Sequence, residues 1–300
     1  MELRQRRSPF NTTKICFADA NKILDDTGVI SATLVSVKSS LGHPLNDFDK
    51  SIITSVTALF ALLVSPVSGM IADAMGRKRV VLLADTAFII GAIIQAGSTS
   101  VWMMVIGRAV VGLAVGAGSF VVPLYIAELA PAPFRGRLMT LNILFVTIGQ
   151  VVAYVIGWAF VTWGDANTGW RWIVGLGAVP AVVQVVVMFF MPETPRWLVM
   201  VGRRDEGRSI LNKVFGGGME IQDMVDGVLK GIEKEVRDEE EAKMSRASNR
   251  KHKGTPTWFS VTRDIWDELL RIPGNRRALT IACLLQGLQQ LCGFVRELIS

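Results

Sequence analysis

Long apolar runs, separated by short charged connections, dominate the chain. Six runs contain at most one charged residue each: 52–72, 80–97, 101–127, 138–163, 172–191 and 278–295. A helix rises about 1.5 Å per residue, so roughly 20 apolar residues cross the ~30 Å hydrocarbon core of a bilayer. The pattern therefore predicts an all-α membrane protein. The alternative is a large soluble protein with buried helices, but such helices rarely recur at this length.

The segment before the first run is atypical for a membrane span. Only residues 28–37 are both apolar and uncharged, and Lys22, Asp25 and Asp26 precede them. About ten residues cannot cross a bilayer alone. Either this first helix is distorted, or the segment before Asp26 is not the native one.

The distribution of Lys and Arg predicts the orientation of the spans. Cytoplasmic connections carry an excess of these residues. They follow the runs 52–72 and 101–127 and are abundant after residue 191, whereas the intervening connections have few. We therefore expect the N-terminus and the long loop to be cytoplasmic. The predicted organisation is a cytoplasmic N-terminus over 1–22, a transmembrane bundle over 23–191, a cytoplasmic helical loop over 192–275 and the start of a seventh span over 276–300.

The long loop carries its own helical signal. Six apolar residues at helical spacing predict an amphipathic helix: Ile221, Met224, Val225, Val228, Ile232 and Val236. A second short helix is expected over 261–270. The acidic run 238–241 and the basic run 246–253 are interpreted as solvated linker.

The composition of the chain mainly excludes other classes of protein. The chain has 300 residues, of which 50% are hydrophobic and 19% charged, and its net charge is +6. Most of the positive excess falls between spans, so no nucleic-acid-binding face is expected. Cys16, Cys283 and Cys292 give no disulfide framework. His43 and His252 fall on opposite sides of the predicted membrane, and no metal cluster or nucleophile–base pair is visible. We expect neither a cofactor nor an enzyme.

Carboxylates and cations recur together at the cytoplasmic ends of the runs. Fixed opposite charges can latch neighbouring helices on one face, and glycines permit close backbone approach. Ordinary helix-end charge is the alternative. The residues of this pattern, from three segments, are Gly69, Asp73, Gly76, Arg77, Arg79, Glu128, Arg135, Arg137, Glu193 and Arg196.

Arg108 is a charged residue inside an apolar run. A cation in the membrane costs roughly 2.5–3.5 kcal/mol on insertion scales, so it needs a partner or a water-filled cavity. Snorkelling of its side chain to the extracellular interface is the competing interpretation. Gly107, Gly112 and Gly116 surround it at a spacing that predicts a packing stripe on one helix.

Several glutamines also lie in apolar runs. Gln150 is in the run 138–163, and Gln286, Gln289 and Gln290 are in the last run. An amide both donates and accepts hydrogen bonds, which suits the hydroxyl groups of a sugar or polyol. For any one glutamine, hydrogen bonding between helices is a fair alternative.

Five segments in order resemble the motifs of the sugar porter family of the major facilitator superfamily. They are GMIADAMGRKR, IGRAVVGLAVG, PLYIAELAPAPFRGR, PETPRWL and LQGLQQLCG. NILFVTIGQVVAY, GWRWIVGLGAVPAVVQ and IPGNRRALTIACLLQGLQQ are similar to the fungal myo-inositol transporters within that family. The resemblance covers roughly residues 26–293.

The resemblance implies a fold and a function. The fold would be the N-terminal six-helix bundle of this superfamily, with cytoplasmic helices and the start of a seventh span. The function would be proton-coupled uptake of a sugar or polyol, most specifically myo-inositol, by alternating access. The partners would be the solute, a proton and the lipid bilayer, in the plasma membrane.

The resemblance also implies residue roles. Asp26 corresponds to the proton-linked carboxylate of the family and Arg108 to its charge partner. Gln150, Gln289 and Gln290 correspond to positions that contact sugar hydroxyls. The glycines, carboxylates and cations at the cytoplasmic ends correspond to a charge network that stabilises one gate state.

Two departures from the family indicate a truncated or mis-spliced form of a longer carrier. ADANKILD precedes Asp26 where the family has an apolar run ending in Gly-Tyr-Asp. Val295 stands where the family has an asparagine, and the second bundle does not follow. On this interpretation the chain alone does not complete a transport cycle. A carrier for another small molecule and a non-transporting half-carrier or sensor are the other readings of the sequence.

Overall fold

The computed structural model describes residues 46–163, 169–215, 219–251 and 273–289. All regular structure in these ranges is α-helical. The helices are α1 Asp47–Met75, α2 Arg77–Ala96, α3 Val101–Leu129, α4 Ala132–Trp163, α5 Gly169–Leu176, α6 Ala178–Phe190, α7 Pro195–Met200, α8 Arg204–Phe215, α9 Met219–Lys251 and α10 Pro273–Gln289. The predicted all-α class is confirmed. The atypical first span and the short helix expected over 261–270 lie outside the described residues.

Five stretches of the described chain are long and apolar enough to cross a membrane. They are Asp47–Met75, Arg77–Ala96, Val101–Leu129, Phe134–Phe160 and Gly169–Phe190. Each contains one of the first five apolar runs, or most of it. The chain divides into two compact units, residues 1–236 and 237–300, and all five stretches belong to the first.

Helix α3 packs against both α1 and α2. The predicted glycine stripe makes this possible on the α1 side. A Cβ added at Gly112 would lie 2.5 Å from the carbonyl oxygen of Thr57, and one at Gly116 would lie 2.5 Å from that of Ala61. Neither position accepts a side chain without moving α1. Gly107 instead faces Gln95 of α2, so the stripe serves two neighbouring helices.

The run 172–191 forms two helices instead of one. Its interruption falls at Gly177, between α5 and α6. Pro180 has no backbone N–H and cannot donate to the carbonyl of Leu176, four residues earlier, so the helical ladder loses a bond there. The break is local, because the backbone N–H of Gly177 still donates to the carbonyl of Ile173 at 3.2 Å.

Helices α8 and α9 share a small apolar core of their own. Leu211 of α8 and Val225 and Leu229 of α9 are buried together, which confirms the predicted amphipathic helix. Met224 is 56% exposed, so it does not belong to the buried face. The linker interpretation of the charge runs is wrong within the described range, because α9 continues through 238–251. Glu, Lys, Arg and Ala are strong helix formers, and solvent exposure does not prevent them from extending a helix.

Candidate functional site

The connection between α1 and α2 is a single residue, Gly76. Its φ is +101°, a conformation that side chains other than glycine rarely adopt. A Cβ at this position would lie 2.5 Å from Oε2 of Glu193. Both the backbone conformation and the available space therefore require glycine, and the close approach places the PETPRWL segment against the start of α2.

Arg77 follows this turn and is the centre of a buried charge network. Its side chain is only 3% exposed. Nη2 lies 2.7 Å from Oδ1 of Asp73 and donates to Oε1 of Glu128 at 3.2 Å, while Nε lies 3.1 Å from Oε2 of Glu128. Nη1 donates to the carbonyl of Ala72 at 3.2 Å. One guanidinium therefore joins the ends of α1, α2 and α3.

Glu128 extends the network to α7 and α9. Its side chain is 6% exposed, and its Oε1 is 4.0 Å from Nε of Arg196 on α7. Arg196 Nη1 donates to Oε2 of Glu235 on α9 at 3.2 Å. The carboxylate of Glu128 thus lies between two guanidinium groups, which offsets the desolvation of its charge.

Glu193 has a different role, at the N-terminus of α2. Its Oε1 accepts hydrogen bonds from the backbone N–H groups of Lys78 at 3.0 Å and Thr194 at 3.1 Å. The first N–H groups of a helix lack partners within the helix, and a carboxylate there also interacts favourably with the helix dipole. Glu193 therefore fixes the PETPRWL segment to the start of α2.

Two aromatic side chains add neutral hydrogen bonds at the same level. Trp197 Nε1 donates to the carbonyl of Asp73 at 3.1 Å. The hydroxyl of Tyr125 donates to the carbonyl of Pro192 at 2.7 Å. Both bonds join the segment after α6 to the membrane helices, so this end of the bundle is held by neutral as well as ionic contacts.

The structure brings together six residues of the predicted network: Asp73, Gly76, Arg77, Glu128, Glu193 and Arg196. Gly69 lies apart from the charges, at a close approach to Phe120 of α3. Arg79, Arg135 and Arg137 are exposed, and none of the three forms an ion pair with a described residue. A role for these four residues in the network stays a prediction.

Arg108 lies inside the bundle, seven residues after the start of α3. It is 2% exposed. Thr57 of α1 donates its hydroxyl hydrogen to the backbone carbonyl of Arg108 at 3.5 Å. This enclosure disfavours the snorkelling interpretation, in which the guanidinium would reach the extracellular interface. Gln150 is half-buried on α4.

Two other polar residues predicted for the membrane interior, Asp26 and Gln290, lie outside the described residues. Gln289 is the last residue of α10, in the second unit. Their roles in proton coupling and substrate binding stay predictions.

Comparison with known proteins identifies the family. Residues 25–296 match the family model described as Sugar (and other) transporter. The chain belongs to this family. It is 43% identical over 269 residues to Myo-inositol transporter 1 of Cryptococcus neoformans var. grubii, covering 90% of the chain and 44% of the relative. It is 36% identical over 293 residues to Myo-inositol transporter 1 of Saccharomyces cerevisiae, covering 97% of the chain and 47% of the relative.

Similarity to solved structures supports the fold. A structure of the major facilitator superfamily proton:xylose symporter XylE is similar with a TM-score of 0.69 and 24% identity, covering 76% of the chain and 53% of that structure. The chain is thus an integral, multi-pass membrane protein with a major facilitator fold. It spans about half the length of the curated relatives it matches.

Three polar residues that were not predicted as site residues make notable contacts or are buried in the structure: Lys78, Asp85 and Gln184. Lys78 donates through Nζ to the carbonyls of Phe189 at 2.9 Å and Met191 at 2.5 Å, which binds the end of α6 to the start of α2. Asp85 and Gln184 are buried within membrane-spanning helices. Asp85 had a visible signal, because it is the single charge in its apolar run. Gln184 had none beyond its residue type.

Proposed function

We propose that the chain forms the N-terminal bundle of a carrier that moves a sugar or polyol, most specifically myo-inositol, together with a proton. The observation that carries this proposal is similarity to curated proteins named as myo-inositol transporters in four fungi, at 36–43% identity over about nine-tenths of the chain or more. The carrier works by alternating access in the plasma membrane. The domain organisation predicted from the sequence is part of this proposal.

Proton coupling is proposed to use Asp26 and Arg108. The burial of Arg108 supports this, since an enclosed membrane cation needs a compensating charge. When Asp26 is ionised, it supplies that charge. When Asp26 takes up a proton, its contribution to balancing the charge of Arg108 is lost, and the relative cost of the two access states changes. The equilibrium between the states then depends on the proton.

Substrate recognition is proposed to use Gln150, Gln289 and Gln290. Each amide offers a donor and an acceptor, and neighbouring hydroxyls of a polyol offer the same pair in return. The half-burial of Gln150 within a membrane-spanning helix supports its access to a cleft without full exposure to lipid. No charge is needed, because myo-inositol and hexoses are neutral.

The cytoplasmic charge network is proposed to act as a gate. Its ion pairs join the ends of α1, α2, α3 and α7, and two of its side chains are almost fully buried. Opening the cytoplasmic side separates some of these helix ends, so the network stabilises the state in which they stay together. Breaking it shifts the carrier toward the other state.

A chimera tests the function. Residues 25–296 replace the matching segment of the Cryptococcus neoformans relative in yeast cells that lack inositol uptake, and uptake of radiolabelled myo-inositol is measured at acidic and neutral external pH. We expect uptake that increases at acidic pH. Arg108→Gln abolishes this uptake, whereas Arg208→Gln, which removes an exposed cytoplasmic arginine, leaves it unchanged. A well-expressed chimera at the cell surface with no solute uptake contradicts the proposal.

A hexose is the second candidate substrate. The glucose transporter GlcP of Staphylococcus epidermidis is 40% identical over 190 residues, covering 63% of the chain. Competition in the same cells separates the two solutes. Unlabelled myo-inositol should suppress the labelled uptake at lower concentration than glucose, and the reverse order assigns the site to a hexose.

A further inference from the structure

An asparagine lies in the apolar part of α4, and its side-chain oxygen lacks a donor nearby. Asn142 is half-buried within the membrane-spanning stretch Phe134–Phe160. The atom Oδ1 is itself buried and accepts no hydrogen bond from any residue that the structure describes. An amide oxygen without a donor is costly away from water, so Oδ1 needs a partner beyond these residues.

The threonines of the same helix satisfy their hydroxyl groups locally. Thr140, Thr147 and Thr162 each donate to the carbonyl four residues earlier, at 3.0, 3.1 and 2.8 Å. The oxygen of the Asn142 amide only accepts, so this local solution is not open to it. The backbone N–H groups around it already donate within the helix, and α4 therefore offers Oδ1 no free donor of its own.

The position of Asn142 places it beside a residue already proposed to bind the solute. Asn142, Val146 and Gln150 are spaced by four residues, so they form one ridge on α4. The ridge covers about 12 Å, because each residue of a helix adds about 1.5 Å. All three side chains are half-buried, whereas Ile143, the next position around the helix from Gln150, is 65% exposed. The ridge therefore lies at the border between the buried and the exposed sides of α4.

The side chains of this ridge match the chemistry of a polyol ring. Two amides, each with a donor and an acceptor, lie on either side of an apolar valine. A polyol ring has hydroxyl groups around its edge and C–H groups on its faces, so one ring over Val146 presents hydroxyls to both amides. On the basis of the function proposed above, we propose that Asn142 is a further solute-binding residue. Its Oδ1 accepts a hydrogen bond from a hydroxyl group of the polyol that Gln150 also contacts.

Deoxy analogues of the solute test this contact. In the full-length chimera, the KM of myo-inositol uptake is measured together with competition by each monodeoxy analogue of myo-inositol. Asn142→Ala should raise the KM by roughly 2- to 13-fold, because one hydrogen bond to a neutral group is lost. One analogue should compete more weakly than myo-inositol in the unsubstituted chimera but equally well in Asn142→Ala. If every analogue shows the same penalty in both proteins, Asn142 does not contact the solute and the proposal is overturned.

Two further variants control for effects on folding. Thr147→Ala should change neither the KM nor the penalties, since Thr147 is exposed and donates its hydroxyl hydrogen to the carbonyl of Ile143. Asn142→Ser serves if Asn142→Ala does not reach the cell surface. The serine hydroxyl should bond to the carbonyl of Leu138, as the threonines do on their own turns, so this variant should also lose the penalty. Failure of both variants to fold assigns the amide to contacts within the protein and overturns the proposal.

A binding measurement separates this proposal from the proposed function. Equilibrium binding of myo-inositol and of glucose to the purified chimera does not require transport. If the unsubstituted chimera binds neither solute, the proposed function fails, and the role of Asn142 fails with it. If the chimera binds myo-inositol and Asn142→Ala binds it with the same affinity, only the role of Asn142 is wrong.

Discussion

The ion pair between Arg77 and Glu128 provides a direct test of how the charge network stabilises the helix ends that it joins. The substitution Glu128→Gln keeps the shape of the side chain and removes its charge. Arg77 then keeps its contact with Asp73 at 2.7 Å, but Asp73 is 47% exposed and its charge is partly screened by solvent. The guanidinium, 3% exposed, loses its buried counter-charge.

The size of the effect follows from this geometry. Removing one partner of a buried ion pair typically costs about 3–5 kcal/mol, because the other charge stays buried. Here Asp73 and the carbonyl of Ala72 still contact Arg77, so we expect a loss of about 2–3 kcal/mol in the free energy of unfolding. That corresponds to roughly a 30- to 140-fold change in the folding equilibrium constant. Replacing both partners, as Arg77→Met with Glu128→Leu, should cost less than Glu128→Gln alone, since no uncompensated charge remains.

The measurement is reversible unfolding of the chain in mixed detergent micelles, followed by tryptophan fluorescence. Trp197 reports locally, because its Nε1 bonds to Asp73. Arg208→Gln is the matched control: it removes an ion pair to Asp226 of 2.8 Å between side chains that are 44% and 40% exposed, for which we expect at most about 1 kcal/mol. If Glu128→Gln stays within about 0.5 kcal/mol of the wild type, the buried pair does not stabilise the bundle and the reasoning fails.

Two further predictions concern glycines, with the same unfolding measurement. Gly76→Ala should lower the free energy of unfolding by about 1–3 kcal/mol through the backbone conformation alone, and by more because Glu193 is displaced. Gly202 also has a positive φ but open space around it, so Gly202→Ala should show the backbone cost only. Gly112→Val should separate α1 from α3 and lower the free energy of unfolding by at least about 1–3 kcal/mol, because the new side chain overpacks against Thr57. If the variant has the wild-type free energy of unfolding, the close approach of the two helices is contradicted.

The sequence determined the class of the protein because a bilayer imposes a length and a polarity on every span. The apolar runs predicted the positions of helices α1 to α4 closely, and the spacing of apolar residues alone predicted the amphipathic start of α9. Prediction from the sequence was less accurate at the ends of helices and at breaks within them. The loss of a backbone donor at Pro180 interrupts one run, and the charge runs after Val236 were assigned to linker although their residues continue the helix.

Only the tertiary structure decided which charges act together. Arg77 and Arg79 are two residues apart in one basic cluster, but successive positions of a helix point in different directions, so one is enclosed between α1 and α3 and the other faces solvent. The same holds for Lys78, whose ammonium group reaches the carbonyls of Phe189 and Met191, at the end of α6 and more than a hundred residues away. The chain's own pattern supplied the charged groups and the glycines that let helices approach. Which of them meet depends on rotation about each helix axis and on packing between distant segments, and a local pattern contains neither.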